Sequence, residues 1–238
     1  MQSVQSVQSI QQWSFDGDVP HFLYTNIVFE RSGYYFICQS PERQPKLDFE
    51  SIDALPPRKI PREHIWPLFE ESLTVCDEPT KPDIFIKQPR LTAYDGNSDL
   101  ADLLLQEARV CEKLMRNPHP HVAKYFGCYV QEGRIAGLCF QRYAETAEER
   151  KSSGRPINKD LVLAQITAAI KHLQSIDLEH NDVKGSNVMF PTTSSDEAIL
   201  VDFDSVAVIG GTLPAKRGLI DALGLEELAK SLTTSDHV

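Results

Sequence analysis

The stretch that decides the fold is His180-Asn181-Asp182-Val183-Lys184-Gly185-Ser186-Asn187. It follows residues 158–176, where apolar residues recur at three- and four-residue spacings, a pattern that predicts an amphipathic helix. It precedes the apolar run Val188–Phe190, which predicts a short strand. Asp202 comes fifteen residues after Asn187, within Leu200-Val201-Asp202-Phe203-Asp204. Two polar turns, each beside a short apolar strand, are therefore expected to lie next to each other.

These two turns carry groups suited to phosphate chemistry. Asp182, Asn187 and Asp202 provide two carboxylates and an amide, which suit a hard cation and a proton acceptor. Acceptor groups alone would repel a triphosphate, so the site also needs positive charge. Lys184 and Lys87, together with bound Mg²⁺, would supply that charge.

A buried ion pair is predicted between a strand and a helix. Lys87 follows Ile84-Phe85-Ile86 in an apolar strand, and Glu107 interrupts the leucine-rich stripe of a helix over 100–114. Each charge would be costly to bury alone, so the two are expected to satisfy each other, the alternative being that both reach water.

At this point the sequence resembles a known family. Residues 180–187 resemble the protein-kinase catalytic loop H-R-D-x-K-x-x-N, and residues 202–204 resemble D-F-G. Residues 117–127 are similar to the H-P-N-I-V-x-x-Y-G turn, and the order and spacing agree over 65–232. The sequence resembles a group of fungal kinase-like proteins more closely still, through the shared motifs I-F-I-K-x-P, E-A-R-V-C-E-x-L, G-R-I-x-G-L-C-F and D-F-D-S.

The resemblance implies a role for each matching residue, with ATP and Mg²⁺ as cofactors. Asp182 would be the catalytic base and Lys184 would sit on the γ-phosphate. Asn187 and Asp202 would hold Mg²⁺, and Lys87, steered by Glu107, would hold the α- and β-phosphates. The remaining nucleotide-binding positions would be the adenine roof, the adenine floor and the hinge, which are Phe85, Met189 and Tyr143. Asp221 resembles the buried aspartate that holds the catalytic-loop backbone.

The sequence also departs from the family pattern. No glycine occurs between Gly33 and Gly96, so the phosphate-covering glycine loop before Lys87 is absent. Phe85 stands where the family has a small alanine, Asn181 replaces an arginine, and Asp204 replaces the D-F-G glycine, where it would add a metal ligand or stiffen the turn. The distal helices of the large lobe are expected to be missing.

The predicted fold is α+β: a bilobal protein-kinase-like fold with a trimmed C-terminal lobe. Residues 1–12, a polar Gln-Ser-Val repeat, are predicted to be a disordered tail. Residues 13–64 are predicted to hold a β-hairpin and an extended, surface-lying Pro-rich connection. Residues 65–143 and 144–238 would be the N-lobe and the shortened C-lobe, and the charge run 145–151 would be a solvated helix face.

Composition excludes several classes of function. The chain has 238 residues and a formal net charge of −10, which disfavours nucleic acid as a partner. It has no apolar stretch long enough for a membrane span. Five cysteines without C-x-x-C spacing indicate reduced thiols in an intracellular, cytoplasmic or nuclear protein. The resemblance to protein kinases implies a protein substrate or a regulatory protein as the partner.

Three functions remain open from the sequence. The first is an ATP- and Mg²⁺-dependent phosphotransferase acting on a Ser/Thr hydroxyl, slow or dependent on a partner. The second is a pseudokinase scaffold or binding module, favoured by Phe85 and the missing glycine loop. The third is a small-molecule kinase of the aminoglycoside or choline type, against which Lys184, two residues after Asp182, argues.

Overall fold

The computed structural model describes residues 5–15, 19–209 and 221–233, and it has mixed α/β structure. The chain divides into two compact units. Unit 1 holds the described residues of Met1–Leu68 together with Gln88–Asp102, and unit 2 holds those of Phe69–Lys87 and Leu103–Val238. None of the helices in the described part of the chain is long and apolar enough to cross a membrane.

Unit 1 is built on a four-stranded antiparallel sheet in the order β1-β2-β3-β4. Its elements in chain order are β1 (Gln5–Ser14), β2 (His21–Arg31), β3 (Tyr34–Ser40), α1 (Phe49–Asp53), β4 (Arg58–Lys59), α2 (Arg62–Ile65) and a 3₁₀ helix (Leu91–Ala93). The predicted hairpin is confirmed as β2–β3. Ser32 and Gly33 connect its strands with φ of 53° and 77°, the paired positive values that a two-residue hairpin turn requires.

The prediction of a disordered tail is wrong for residues 5–12, while residues 1–4 lie outside the described residues. Residues 5–12 belong to β1, which pairs with β2 at the edge of the sheet. Backbone pairing to a neighbouring strand does not require apolar side chains, so a polar repeat can form an edge strand. Trp13 meets Phe22 edge-on at a ring separation of 5.6 Å, and the Arg43 guanidinium lies over both rings.

The Pro-rich connection is folded rather than extended. Ile52, Ile60 and Ile65 are almost completely buried in the core of unit 1. Residues 88–102 also join this unit, through the buried Leu91 and Tyr94. Isolated isoleucines between prolines show no periodicity, so the sequence pattern did not indicate that this segment contributes to a core.

Unit 2 contains three small antiparallel sheets and most of the helices. Its elements in chain order are β5 (Ile84–Lys87), α3 (Asp99–Arg116, in this unit from Leu103 onward), β6 (Tyr125–Gln131), β7 (Arg134–Gln141), β8 (Glu145–Thr146), α4 (Ala147–Ser152), α5 (Lys159–Ser175), β9 (Leu178–Glu179), a 3₁₀ helix (Gly185–Asn187), β10 (Val188–Phe190), β11 (Ile199–Leu200), β12 (Ala207–Val208) and α6 (Asp221–Ser231). The sheets have the orders β5-β7-β6, β8-β10-β11 and β9-β12. The division into lobes at residue 143 stays a prediction.

Sequence periodicity located the two long helices of this unit. The predicted helix over 158–176 is α5, which begins after Asn158, whose side chain accepts the Leu161 N–H. Residues 72–76 make an isolated bridge to the sheet, between Val75 and Cys128, rather than a strand. Gly127 permits this close approach: its φ is 123°, and a Cβ at this position would lie 2.8 Å from the Cys76 nitrogen.

The charge run 145–151 is only partly a solvated helix face, and the interpretation fails at its first and its next-to-last residue. Glu145 and Arg150 are buried, at 4% and 2% exposure. The Arg150 guanidinium donates to Glu145, to the Ser195 and Thr192 carbonyl oxygens, and stacks 3.6 Å from the Phe190 ring centre. Arg150 therefore ties α4 to β8, β10 and the loop before β11.

Removing Arg150 should be strongly destabilising. Arg150→Met leaves the buried Glu145 carboxylate with Arg155 as its remaining cation, and it removes the donors to the Ser195 and Thr192 carbonyl oxygens. We expect the free energy of unfolding, measured by urea denaturation, to fall by about 3–5 kcal/mol. Arg155→Met is the control: its side chain is 39% exposed, against 3% for Arg150, so its loss should be smaller. Equal losses in the two variants would contradict this interpretation.

Candidate functional site

Strand β5 sorts its side chains onto two faces. Ile84 and Ile86 pack into a cluster with Cys76 and Cys139. Because side chains alternate along a strand, Phe85 and Lys87 point to the opposite face. The register with β7, which pairs Lys87 with Leu138, fixes this arrangement. The isoleucines around Lys87 thus pack on one face of the strand, and the Lys87 amine points from the other face toward α3.

The Lys87–Glu107 ion pair predicted from the sequence is present. The Lys87 Nζ donates to the Glu107 Oε1 and Oε2 at 2.6 and 2.8 Å, and it also donates to the Asp202 Oδ1. The Glu107 Oε1 accepts the Phe203 N–H at 3.1 Å. A single carboxylate on α3 therefore holds both the β5 lysine and the backbone of the 202–204 turn.

Lys87, Glu107, Asp202 and Asp204 form a charged cluster. Burial and charge have opposite effects on the pKa values of its lysine and its glutamate. Burial alone would lower the pKa of Lys87, but the carboxylates of Glu107, Asp202 and Asp204 outweigh it and raise the pKa above its usual value, so the ammonium stays charged. Burial raises the pKa of Glu107, and the Lys87 ammonium acts against that rise. Both oxygens of Glu107 accept hydrogen bonds from Lys87, which is the geometry of an ionised carboxylate.

The turn 180–187 brings three predicted residues together. The Asn187 Nδ2 donates to the Asp182 carbonyl at 2.9 Å and to its Oδ2 at 2.8 Å. The Lys184 Nζ donates to the same Oδ2 at 2.6 Å. Asn187 is buried, whereas the Lys184 side chain is half exposed. The Asp182 carboxylate is thus held from two sides, by one fixed donor and by one donor at the surface.

Two residues of the site adopt left-handed backbone conformations. Asn181 has a φ of 62° and Asp202 has a φ of 69°, and both belong to the residue types that tolerate this region best. The buried Asp221, at the start of α6, accepts the N–H groups of His180 and Asn181 at 3.1 and 2.8 Å. This contact agrees with the role that the resemblance implied for Asp221, and it holds Asn181 in its strained conformation.

The buried His180 side chain links the turn 180–187 to the turn 202–204. Its Nε2 lies 3.1 Å from the Val201 carbonyl oxygen, and its Nδ1 accepts the Asp182 N–H at 3.3 Å. The neutral ring protonated at Nε2 satisfies both contacts. Burial lowers the pKa of His180, although Asp221 acts in the opposite direction, which favours this neutral form. The ring also packs edge-on against Phe203 at 5.8 Å.

The three residues expected around adenine are less closely connected to this cluster. The Tyr143 hydroxyl accepts the Lys124 N–H at 3.1 Å, and its side chain lines a separate cavity of about 610 Å³ beside His119. Phe85 is 47% exposed, with the Arg142 guanidinium 6.0 Å from its ring centre. Met189 is half-buried in β10. Nucleotide binding by these residues stays a prediction.

One contact of the cluster was not foreseen. The Asp204 Oδ2 lies 4.0 Å from the Lys87 Nζ, and its Oδ1 accepts the Ser205 hydroxyl at 3.0 Å. The signal in the sequence was the charged residue in place of the glycine of D-F-G. It was interpreted only as a metal ligand or a stiffer turn, because the sequence does not show that Lys87 comes so close.

The donor set of the site fits Mg²⁺. Mg²⁺ is bound in proteins by one or two oxygen ligands together with water and phosphate oxygens. The Asn187 Nδ2 is already bound to Asp182, so its amide oxygen remains the group that can act as a ligand beside the Asp202 carboxylate. Within residues 5–15, 19–209 and 221–233, no group of three His, Cys, Asp or Glu side chains is arranged to hold a metal ion. A cation here would thus depend on phosphate and water for its other ligands.

Removing the lysine should give a characteristic pH dependence. Lys87→Met should raise the pKa of Glu107 further, so the folded chain binds more protons than the unfolded chain. The stability added by this protonation is present below the unfolded pKa and is lost as the pH rises through the folded pKa. We expect the variant to lose about 3–5 kcal/mol of unfolding free energy near pH 7, and less near pH 4, by urea denaturation.

The double variant Lys87→Met/Glu107→Gln is the matched control for that measurement. It has no carboxyl at position 107, so the extra pH dependence relative to the parent should disappear. A loss in Lys87→Met that is the same at every pH would show that Glu107 does not depend on Lys87.

Comparisons with known proteins show similarity over less than half of the chain. No protein-family model matches the chain. The chain is 25% identical over 96 residues to the serine/threonine-protein kinase SULU of Caenorhabditis elegans, an alignment covering 38% of this chain but 9% of SULU. It thus spans a small part of that relative's length. It is also similar to a chain in a crystal structure of the Rad53 kinase domain and SCD2, with a TM-score of 0.39, 20% identity, and coverage of 45% of this chain and 40% of that one.

Proposed function

We propose that the chain is a phosphotransferase of the protein-kinase type that uses ATP and Mg²⁺ and acts on a Ser/Thr hydroxyl. The observation that carries the proposal is the contact of Lys87 with both Glu107 and Asp202, in the same unit as the Asp182–Asn187 pair. These are the residue types that phosphoryl transfer uses to hold phosphates, metal and the attacking hydroxyl. The partial sequence similarity to a serine/threonine kinase agrees with it.

A bilobal fold is part of the same proposal. The sheet β5-β7-β6 and helix α3 would form the small lobe, and the helical region from α4 to α6 would form a shortened large lobe. In favour of this division, the residues of the site come from both parts of the chain: Lys87 and Glu107 from the first, and Asp182 and Asp202 from the second.

Each residue would have a defined task in the reaction. Asp182, oriented by Asn187, would accept the proton of the attacking hydroxyl. Lys87 and Lys184 would bind phosphate oxygens, and Asp202 and the amide oxygen of Asn187 would hold the metal. When bound, Mg²⁺ supplies the charge that stabilises the phosphoryl oxygens. Fixed donors of this kind lower the barrier because they do not have to reorganise during the reaction.

Slow or partner-dependent turnover is part of the proposal. The residues before β5 include Pro79 and Pro82 and no glycine, so their backbone is poorly suited to wrap closely around phosphates. The phosphates would then be open to water, which weakens positioning. A protein substrate or a regulatory protein that covers the site would exclude water and restore the positioning of the phosphates. We place this activity in an intracellular compartment, because all five cysteines are free and buried.

A pseudokinase scaffold is the second candidate, and one observation favours it. Phe85 lies on the same strand face as Lys87 and is large enough to reduce the space for adenine. A small-molecule kinase is less well supported, because Lys184 contacts Asp182 directly, as expected for the protein-kinase pattern.

Nucleotide binding separates the two kinase candidates from the scaffold. The parent should unfold at a higher temperature with ATP and Mg²⁺, since a ligand at 100 times its Kd adds about 2.7 kcal/mol of stability. Asp182→Asn should retain this shift but lose transfer of radiolabelled phosphate from ATP to the chain itself or to a general protein substrate. Asp160→Asn, which changes an exposed carboxylate on α5, is the control and should match the parent.

Two results would contradict the proposal. If ATP at millimolar concentration changes the stability of neither the parent nor the Asp160→Asn control, the scaffold function replaces it. If Asp182→Asn transfers phosphate as fast as the parent, the base has been assigned wrongly.

A further inference from the structure

All three N–H donors of the Lys87 ammonium are occupied within the protein. An ammonium has three donors, and Lys87 directs two at the Glu107 oxygens and one at the Asp202 Oδ1. A phosphate oxygen can therefore bind Lys87 only if one of these contacts opens. Glu107 is almost fully buried and also accepts the Phe203 N–H, whereas Asp202 is 28% exposed. Asp202 is thus the partner that can leave.

A third carboxylate opposes the approach of an anion to the same ammonium. The Asp204 Oδ2 lies 4.0 Å from the Lys87 Nζ, and the Asp204 charge contributes to the raised pKa of Lys87. At this distance the interaction between unit charges is substantial even at the protein surface. The D-F-G sequence that residues 202–204 resemble has an uncharged glycine here, so the opposition comes from a charge that the D-F-G pattern does not have.

We propose that Asp204 is a specificity-determining residue that keeps cation-free polyphosphates away from Lys87 and admits them only together with a divalent cation. The inference rests on the proposed nucleotide site and concerns its selectivity. A divalent cation would draw the Asp202 carboxylate off Lys87, freeing a donor for phosphate. It would also offset the negative charge that Asp204 places beside that donor. The preferred ligand is therefore the metal complex of a nucleoside triphosphate rather than the free anion.

The selectivity can be measured as a ratio of binding constants. Calorimetric titrations with ATP, and separately with inorganic tripolyphosphate, would be run in excess Mg²⁺ and in excess chelator. For the parent, the Kd in chelator should greatly exceed the Kd in Mg²⁺. Asp204→Asn keeps the side-chain shape and removes the charge, so this ratio should fall by at least about tenfold, mainly through tighter cation-free binding.

Two further variants make the result decisive. Asp204→Gly restores the glycine of D-F-G and should shift the ratio in the same direction, so the test does not depend on one variant folding. Asp160→Asn removes a carboxylate of the same unit that is distant in sequence and exposed, and should keep the parent ratio. If ATP binds but both Asp204 variants keep the parent ratio, the inference is overturned and the nucleotide site stands. If the parent and all variants bind ATP in neither condition, the proposed function itself fails.

Discussion

The buried carboxylate of Glu107 is the constraint on which the rest of the site depends. At 3% exposure it cannot be left without partners, since an isolated buried charge costs several kcal/mol. Its partners come from two distant parts of the chain, the Lys87 ammonium on β5 and the Phe203 N–H beyond β11. Satisfying one side chain of α3 therefore fixes both the lysine and the turn that carries Asp202 and Asp204.

A second buried carboxylate, that of Asp221, fixes the backbone of the turn 180–187. It accepts two consecutive N–H groups, those of His180 and Asn181, and so holds Asn181 at positive φ. The backbone that follows then presents Asp182 to Asn187 and Lys184. The two turns are joined through His180, which contacts the Val201 carbonyl and the Phe203 ring. Rigid support beneath partly exposed polar groups is the arrangement expected of a binding or catalytic site.

The sequence predicted those parts of the structure in which a local pattern carries a physical requirement. A lysine in an apolar strand and a glutamate in a leucine stripe each demanded a partner, and Lys87 and Glu107 meet. The hairpin turn at Ser32–Gly33 and helix α5, whose apolar residues recur at helical spacing, were predictable for the same reason. Residues 5–12 were not, because their order comes from backbone pairing with β2 rather than from their own side chains. Nor were Glu145 and Arg150, since a charge run does not reveal which of its members pair inside the protein.

The most direct measurement is a crystal structure of the parent grown with a non-hydrolysable ATP analogue and Mn²⁺, whose anomalous scattering marks the metal. We expect an anomalous peak between Asp202 and the amide oxygen of Asn187, triphosphate density at Lys87, and an unbroken contact from Lys87 to Glu107. A fully occupied analogue bound elsewhere, with Lys87 still bonded to Asp202 and no anomalous peak beside it, would contradict the assignment of this cluster as a nucleotide site.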